Sequence, residues 1–192
     1  MKVNIKQLYG KFNQGYALDK HTIYSTPLGS NEFGHMQWDT KRTEAGEAVY
    51  LLKYKQQRKH ILPLAQAILS GIVPLLPQFS MIVPMPASNA RLEQPVSAVA
   101  NALGQLTNKP VFELLTKAPG GPKLKDLCLR SEKDAALKDA ITLNRLIRNE
   151  GCWNALLIDD LHHSGASLDA ACSVLRTYEK IGEIYVATLT WR

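Results

Sequence analysis

One stretch limits the folds open to this chain more than any other: Ala155-Leu156-Leu157-Ile158-Asp159-Asp160-Leu161-His162-His163-Ser164-Gly165-Ala166-Ser167. An apolar run that ends in two acids and then opens through small residues into a helical pattern reads as a buried strand delivering two carboxylates to a sheet edge. Behind the acids, Ser164, Gly165, Ala166 and Ser167 leave backbone N–H groups uncovered beside a helix N-terminus, where the aligned peptide dipoles favour an anion. A strand, loop and helix in that order suit a phosphorylated sugar, with hydroxyls held by the acids and the phosphate by the loop.

The flanking sequence repeats the alternation. The spacing predicts a helix after the loop with Leu168, Ala171, Cys172 and Leu175 on one face, Gly182 near its stop, and a last strand over Ile184–Leu189. Upstream, Thr43–Lys59 reads as a helix with Ala45, Ala48, Val49 and Leu52 in one buried stripe. Lys53, Lys55, Arg58 and Lys59 collect at its end, either as a solvated helix terminus or as an anion or nucleic-acid contact. Ile61–Leu69 predicts a short helix, Ser80–Pro84 a strand, Leu92–Leu106 a helix with Pro95 in its first turn, and Val111–Leu115 a further strand. A Pro/Gly/Lys-rich loop over 116–130 precedes a helix begun by Ser131, and Ile141–Leu143 reads as a short strand. Lys20–Thr26 also has strand composition. Strands alternating with helices imply an α/β fold, a parallel sheet covered on both sides, with ligands collecting beyond the carboxyl ends of its strands. Asp159 and Asp160 are expected to emerge there.

Composition removes several alternatives. A chain of 192 residues, 45% hydrophobic and 21% charged, suits one well-buried domain with a small appended lobe rather than a disordered or fibrous protein. Three cysteines, Cys128, Cys152 and Cys172, are widely spaced and form no Cys-x-x-Cys pair, which argues against a disulfide framework or zinc ribbon and suits a reducing cytoplasm. The N-terminal segment lacks a signal-peptide core. Ile61–Ala90 carries no Asp, Glu, Lys or Arg, but Pro63, Pro74, Pro77, Pro84 and Pro86 break it up, so no membrane span is expected. No Gly-x-x-x-x-Gly-Lys loop occurs. The net charge of +6 suits a polyphosphate or nucleic-acid partner without identifying a site.

The 155–167 stretch resembles the signature with which type I phosphoribosyltransferases bind 5-phosphoribosyl 1-diphosphate (PRPP). That signature has apolar residues, an acidic pair, three variable residues, Thr or Ser, Gly, one residue, and Thr or Ser, and every diagnostic position is filled here. With Val83-Pro84-Met85-Pro86 and Leu51-Leu52-Lys53-Tyr54-Lys55, the chain is similar to the ComF/GntX-like branch over about residues 45–192. The zinc-binding cysteines of that branch have no counterpart, and Leu92-Glu93-Gln94-Pro95-Val96 replaces its Arg-Gly-Phe-Asn-Gln. The resemblance implies a Rossmann-type phosphoribosyltransferase-like α/β domain over 46–192 and an N-terminal hood over 1–45.

By the same resemblance, Asp159, Asp160 and His163 take catalytic roles, and His163, Ser164, Gly165, Ala166 and Ser167 bind the 5-phosphate. Pyrophosphate falls to Ser88, Arg91 and Lys117, while Mg²⁺ sits on Asp159 and Asp160 directly or through water. Lys117, Lys123 and Lys125, with Gly120 and Gly121, suit a mobile cover. Tyr16, Tyr24, Phe33 and Trp38 either stack on a base or fill a small core beside the sheet. Three readings stay open: transfer from PRPP to an unknown base or amine, a nucleotide- or single-stranded-DNA-binding accessory of DNA uptake, and a structural partner. Homodimerisation is implied by resemblance alone.

Overall fold

The computed structural model describes residues 1–87, 94–117 and 141–192. Nine strands are defined among them: β1 (Lys6–Leu8), β2 (Gln14–Lys20), β3 (Thr22–Ser30), β4 (Met36–Arg42), β5 (Met81–Pro84), β6 (Leu115–Lys117), β7 (Ile141–Leu143), β8 (Trp153–His162) and β9 (Ile181–Trp191). Four helices accompany them: α1 (Glu44–Lys55), α2 (Ile61–Ala67), α3 (Pro95–Thr107) and α4 (Ala166–Leu175). Five strands make the central sheet in the order β1-β2-β9-β8-β5, parallel except for the antiparallel β1. This is the helix-flanked parallel sheet that the sequence implies.

Alternation along the strands explains how both faces are covered. Ala155 and Leu157 of β8, with Ile184 and Val186 of β9, pack with Leu168, Ala171, Cys172 and Leu175 of α4. Leu156 and Ile158, with Tyr185, Ala187 and Leu189, face α1, α2 and α3. A strand buried on both faces needs an unbroken apolar run, and Ala155–Ile158 are all fully buried.

Local chemistry sets most boundaries. Thr43 caps α1 by accepting from the Gly46 N–H at 3.0 Å, and Gln56 ends the helix in the left-handed region at φ 53°. The helix therefore stops short of Lys59, and Arg58–His60 form a separate 3-10 turn. Pro95 opens α3 at a position whose N–H needs no partner. Beyond α2 the chain continues through a π turn (Ile68–Ile72) and a 3-10 turn (Val73–Leu75), further than the helix expected to end at Leu69.

Two expectations are corrected. Val111–Leu115 is not a strand of the central sheet: Val111 makes a single parallel bridge with Ile82, and the chain then bends where the Leu114 N–H donates to the Phe112 carbonyl at 2.9 Å. Leu115–Lys117 instead pairs antiparallel with Ile141–Leu143 in a separate two-stranded sheet. Second, residues 6–20, expected within the hood, supply β1 and β2 to the central sheet, where Leu18 is fully buried. The separate N-terminal piece is the β3–β4 hairpin, which leaves β2 at the sheet's carboxyl end, where Lys20, Trp191 and His162 are in register. Its base is held to α1 by Arg42, which pairs with Glu47 at 3.2 Å and lies 3.8 Å from the centroid of the Tyr50 ring.

No helix of the described residues is long and apolar enough to cross a membrane.

Candidate active site

β8 carries the acid pair. The strand runs past the expected stop at Ile158 to His162, so Asp159 and Asp160 lie within its last hydrogen-bonded turns, opposite β9, rather than in the loop. The Asp159 carboxylate accepts the Asp160 backbone N–H at 2.8 Å. Asp160 pairs through its second oxygen with the Lys53 ammonium of α1 at 2.5 Å. Thr190 of β9 donates its hydroxyl to the Asp160 carbonyl at 2.8 Å, which leaves that hydroxyl to accept from Nδ1 of buried His21 at 3.1 Å. His21 is thereby set as the Nδ1–H tautomer, and burial, then the positive charges of Arg192, Arg42 and Lys53, hold its pKa low.

Asp159 is strongly perturbed. Burial, with the Asp160 charge next to it, pushes its carboxyl up to about 7, against the weaker opposing effects of the Asp160 N–H, Lys53 and Lys117. Two adjacent carboxylates at the end of one buried strand resist sharing a full double charge, and a pair arranged this way is suited to partners that bring positive charge or hydroxyl donors.

The pair lines a cleft of about 230 Å³. Its other walls are Lys53 and Tyr54 of α1, Met85, Pro86 and Ala87 beyond β5, and Gln94, Pro95 and Val96 at the start of α3. It sits at the carboxyl ends of the adjacent parallel strands β5 and β8, where open α/β sheets bind ligands.

The second half of the motif turns tightly. Gly165 takes φ 81°, a conformation an L side chain rarely adopts, and a Cβ there would come 3.2 Å from Nε2 of His162. No side chain caps α4, so the N–H groups of its first turn face the loop made by His163, Ser164 and Gly165. His163 and Ser164 are exposed, while Ala166 and Ser167 are half-buried in the first turn.

Several expected residues resolve differently. Lys117, at the end of β6, lies close enough to Asp159 for its charge to lower that carboxyl's pKa. Ser88, Arg91, Lys123, Lys125, Gly120, Gly121 and the helix begun by Ser131 lie outside the described residues. Tyr24, Phe33 and Trp38 do not fill a core: they are 45%, 77% and 55% exposed on the β3–β4 hairpin, and only Tyr16 packs against the sheet. Lys53, read as part of a solvated or nucleic-acid-facing helix end, turns inward to Asp160. Its place four residues after buried Val49, at the edge of the α1 stripe, is the signal that could have shown this. His162 was given no role by the sequence reading, yet its Nε2 is buried, has no hydrogen-bond partner among the described residues and lies against Gly165.

The donor set accommodates Mg²⁺ only in one manner. Among the described residues no three His, Cys, Asp or Glu side chains gather into a metal cage. Two carboxylates in an open cleft fit an ion that keeps several waters and is completed by a substrate's phosphates.

An acid pair and an uncapped glycine turn stand together at the carboxyl edge of an open parallel sheet. No protein-family model matches the sequence, and no curated protein does. Solved structures do match. Over 98% of this chain and 74% of the other, the fold is similar to the adenine phosphoribosyl transferase from Trypanosoma brucei in complex with AMP, pyrophosphate and ribose-5-phosphate, with a TM-score of 0.53 and 12% identity. Weaker likenesses are the adenine phosphoribosyltransferase of Leishmania tarentolae (TM-score 0.49, 10% identity, 96% of this chain and 82% of that one) and the glutamine PRPP amidotransferase of B. subtilis (0.49, 14%, 83% and 34%).

Proposed function

We propose that this protein binds PRPP and transfers its 5-phosphoribosyl group to a base or amine, releasing pyrophosphate. One observation carries the reading: Asp159 and Asp160 line a cleft near the carboxyl end of β8, and the uncapped N-terminus of α4 follows that strand after a short turn. In this reading the first-turn N–H groups of α4, with the hydroxyls of Ser164 and Ser167, hold the 5-phosphate. Asp160 and Asp159 accept from the ribose 2- and 3-hydroxyls and oppose the positive charge that develops on the ring as C1 loses its leaving group.

The C1–O bond breaks with its electron pair going to pyrophosphate, the acceptor nitrogen forms the new C1–N bond, and its proton passes to a base. His163 is exposed on the loop and free to face the incoming acceptor, so it is assigned that proton. Mg²⁺, held by Asp159 and Asp160 directly or through water, would neutralise charge on the departing pyrophosphate. Lys117, together with Ser88 and Arg91, is assigned to the pyrophosphate end. The branch is proposed to be the ComF/GntX-like one, on the motifs quoted above.

A second reading, a single-stranded-nucleic-acid-binding accessory of ComF type, is favoured by one feature. The exposed rings of Tyr24, Phe33 and Trp38 share a hairpin with exposed Lys41, and aromatic side chains beside a cation suit unstacked bases. Isothermal titration with PRPP, with and without Mg²⁺, separates the two, followed by a screen for pyrophosphate release across nucleobases and amines. The transferase reading expects Mg²⁺-dependent affinity that Asp160→Asn abolishes. Salt-steep oligonucleotide binding that survives Asp160→Asn, with no PRPP affinity, would establish the second reading instead.

A further inference from the structure

The acid pair is met by a cation from a distant part of the chain. Lys53 sits in the last turn of α1, a position where lysines ordinarily point to water and favour the helix dipole. Here its side chain is only 27% exposed, and its ammonium lies 2.5 Å from an oxygen of Asp160, itself 17% exposed. Exposed ion pairs contribute little, because two mobile side chains must be held against solvent screening. A half-buried, charge-assisted contact of this length is a stronger interaction. Tyr54, next in sequence, lines the same cleft and meets the Tyr50 ring at a tilt, with ring centroids 5.4 Å apart.

Lys53 therefore lies between two anionic demands. In the ligand-free protein it offsets the repulsion between neighbouring carboxylates. A bound diphosphate would bring a second anion into the cleft that Lys53 lines.

We propose that Lys53 is a positioning cation that exchanges partners: its ammonium holds Asp160 in the empty site, gives way there to the ribose hydroxyls or to a divalent ion arriving with substrate, and then faces the diphosphate. The inference rests on the PRPP reading and adds an order to it. A free divalent ion must displace the ammonium from Asp160, so it binds weakly. The same ion arriving on PRPP supplies the displaced ammonium with phosphate oxygens, so ion and substrate bind cooperatively.

The test is titration of free Mn²⁺, followed by its paramagnetic signal, and calorimetry of PRPP in excess Mg²⁺, on wild type, Lys53→Met, Lys53→Gln and Lys53→Arg. Losing one charged contact corresponds to about tenfold or more in affinity. Lys53→Met and Lys53→Gln are expected to bind free Mn²⁺ about tenfold more tightly and Mg²⁺-loaded PRPP about tenfold more weakly. Lys53→Arg should keep both close to wild type. A merely structural lysine would move both affinities in one direction along with the thermal midpoint, and that result, or no change in either, overturns the proposal. If wild type binds no PRPP in Mg²⁺, the PRPP reading fails, while the Mn²⁺ titration still decides whether Lys53 occupies the cation position at Asp160.

Discussion

Replacing Asp159 by Asn should stabilise the ligand-free protein at pH 8 and leave it nearly unchanged at pH 4. Asn keeps an oxygen to accept the Asp160 N–H that Asp159 accepts at 2.8 Å, so the substitution removes charge without removing that bond. Burial and the Asp160 charge raise the Asp159 carboxyl from 3.8 to about 7. The folded protein thus holds a proton that the unfolded chain releases across that window. Stability from this group is fully present below about pH 4 and is lost as pH climbs through 7. A displacement of about 3 pH units corresponds to roughly 4 kcal/mol. The cleft admits some solvent, so about 2 kcal/mol is the expected gain at pH 8.

Urea denaturation reads this directly. With a slope of about 2 kcal/mol per molar, the midpoint of Asp159→Asn should lie about 1 M above wild type at pH 8 and converge with it at pH 4. An equal offset at both pH values, or a loss of stability at pH 8, would refute the account of Asp159 as a carboxyl held out of its charged form.

Two further outcomes concern the scaffold that presents the site. Gly46→Ala should destabilise despite the better helix propensity of alanine, because a Cβ at Gly46 would overlap the His21 carbonyl where α1 crosses the end of β2; a drop of about 2 kcal/mol or more in chemical denaturation is expected, and a gain would contradict that packing. Tyr178→Phe should cost about 1–3 kcal/mol, since the buried hydroxyl donates to the Ile147 carbonyl at 3.1 Å and accepts its N–H at 3.2 Å, leaving both backbone groups unpaired on removal; a thermal midpoint equal to wild type would show that water replaces it.

Legibility followed distance along the chain. The apolar run Ala155–Ile158, the two acids, the glycine turn and α4 are contiguous, so their chemistry and geometry can be read together from periodicity and small-residue placement. The same holds for the α1 cap at Thr43 and for Pro95 at the start of α3. Each of these depends on backbone groups within a few residues. The expectation for Val111–Leu115 failed because β propensity states that a segment can be extended and leaves its partner open. The sequence left the rings of the hairpin undecided for a related reason: an apolar side chain carries no mark of whether another element exists to cover it.

By itself, the sequence determined that a doubly covered parallel strand would carry an acidic doublet into a glycine turn, because burial on both faces demands an uninterrupted apolar run and only glycine adopts the turn's backbone cheaply. Tertiary structure alone decided that β1 and β2 would extend the sheet, that α1 would bring Lys53 to Asp160, and that Met85, Pro86 and Gln94 would wall the cleft. Those outcomes depend on which surfaces meet once the chain is compact. A lysine at a helix end has the same composition whether it meets water or a buried carboxylate, and only the packing of α1 against the sheet distinguishes the two.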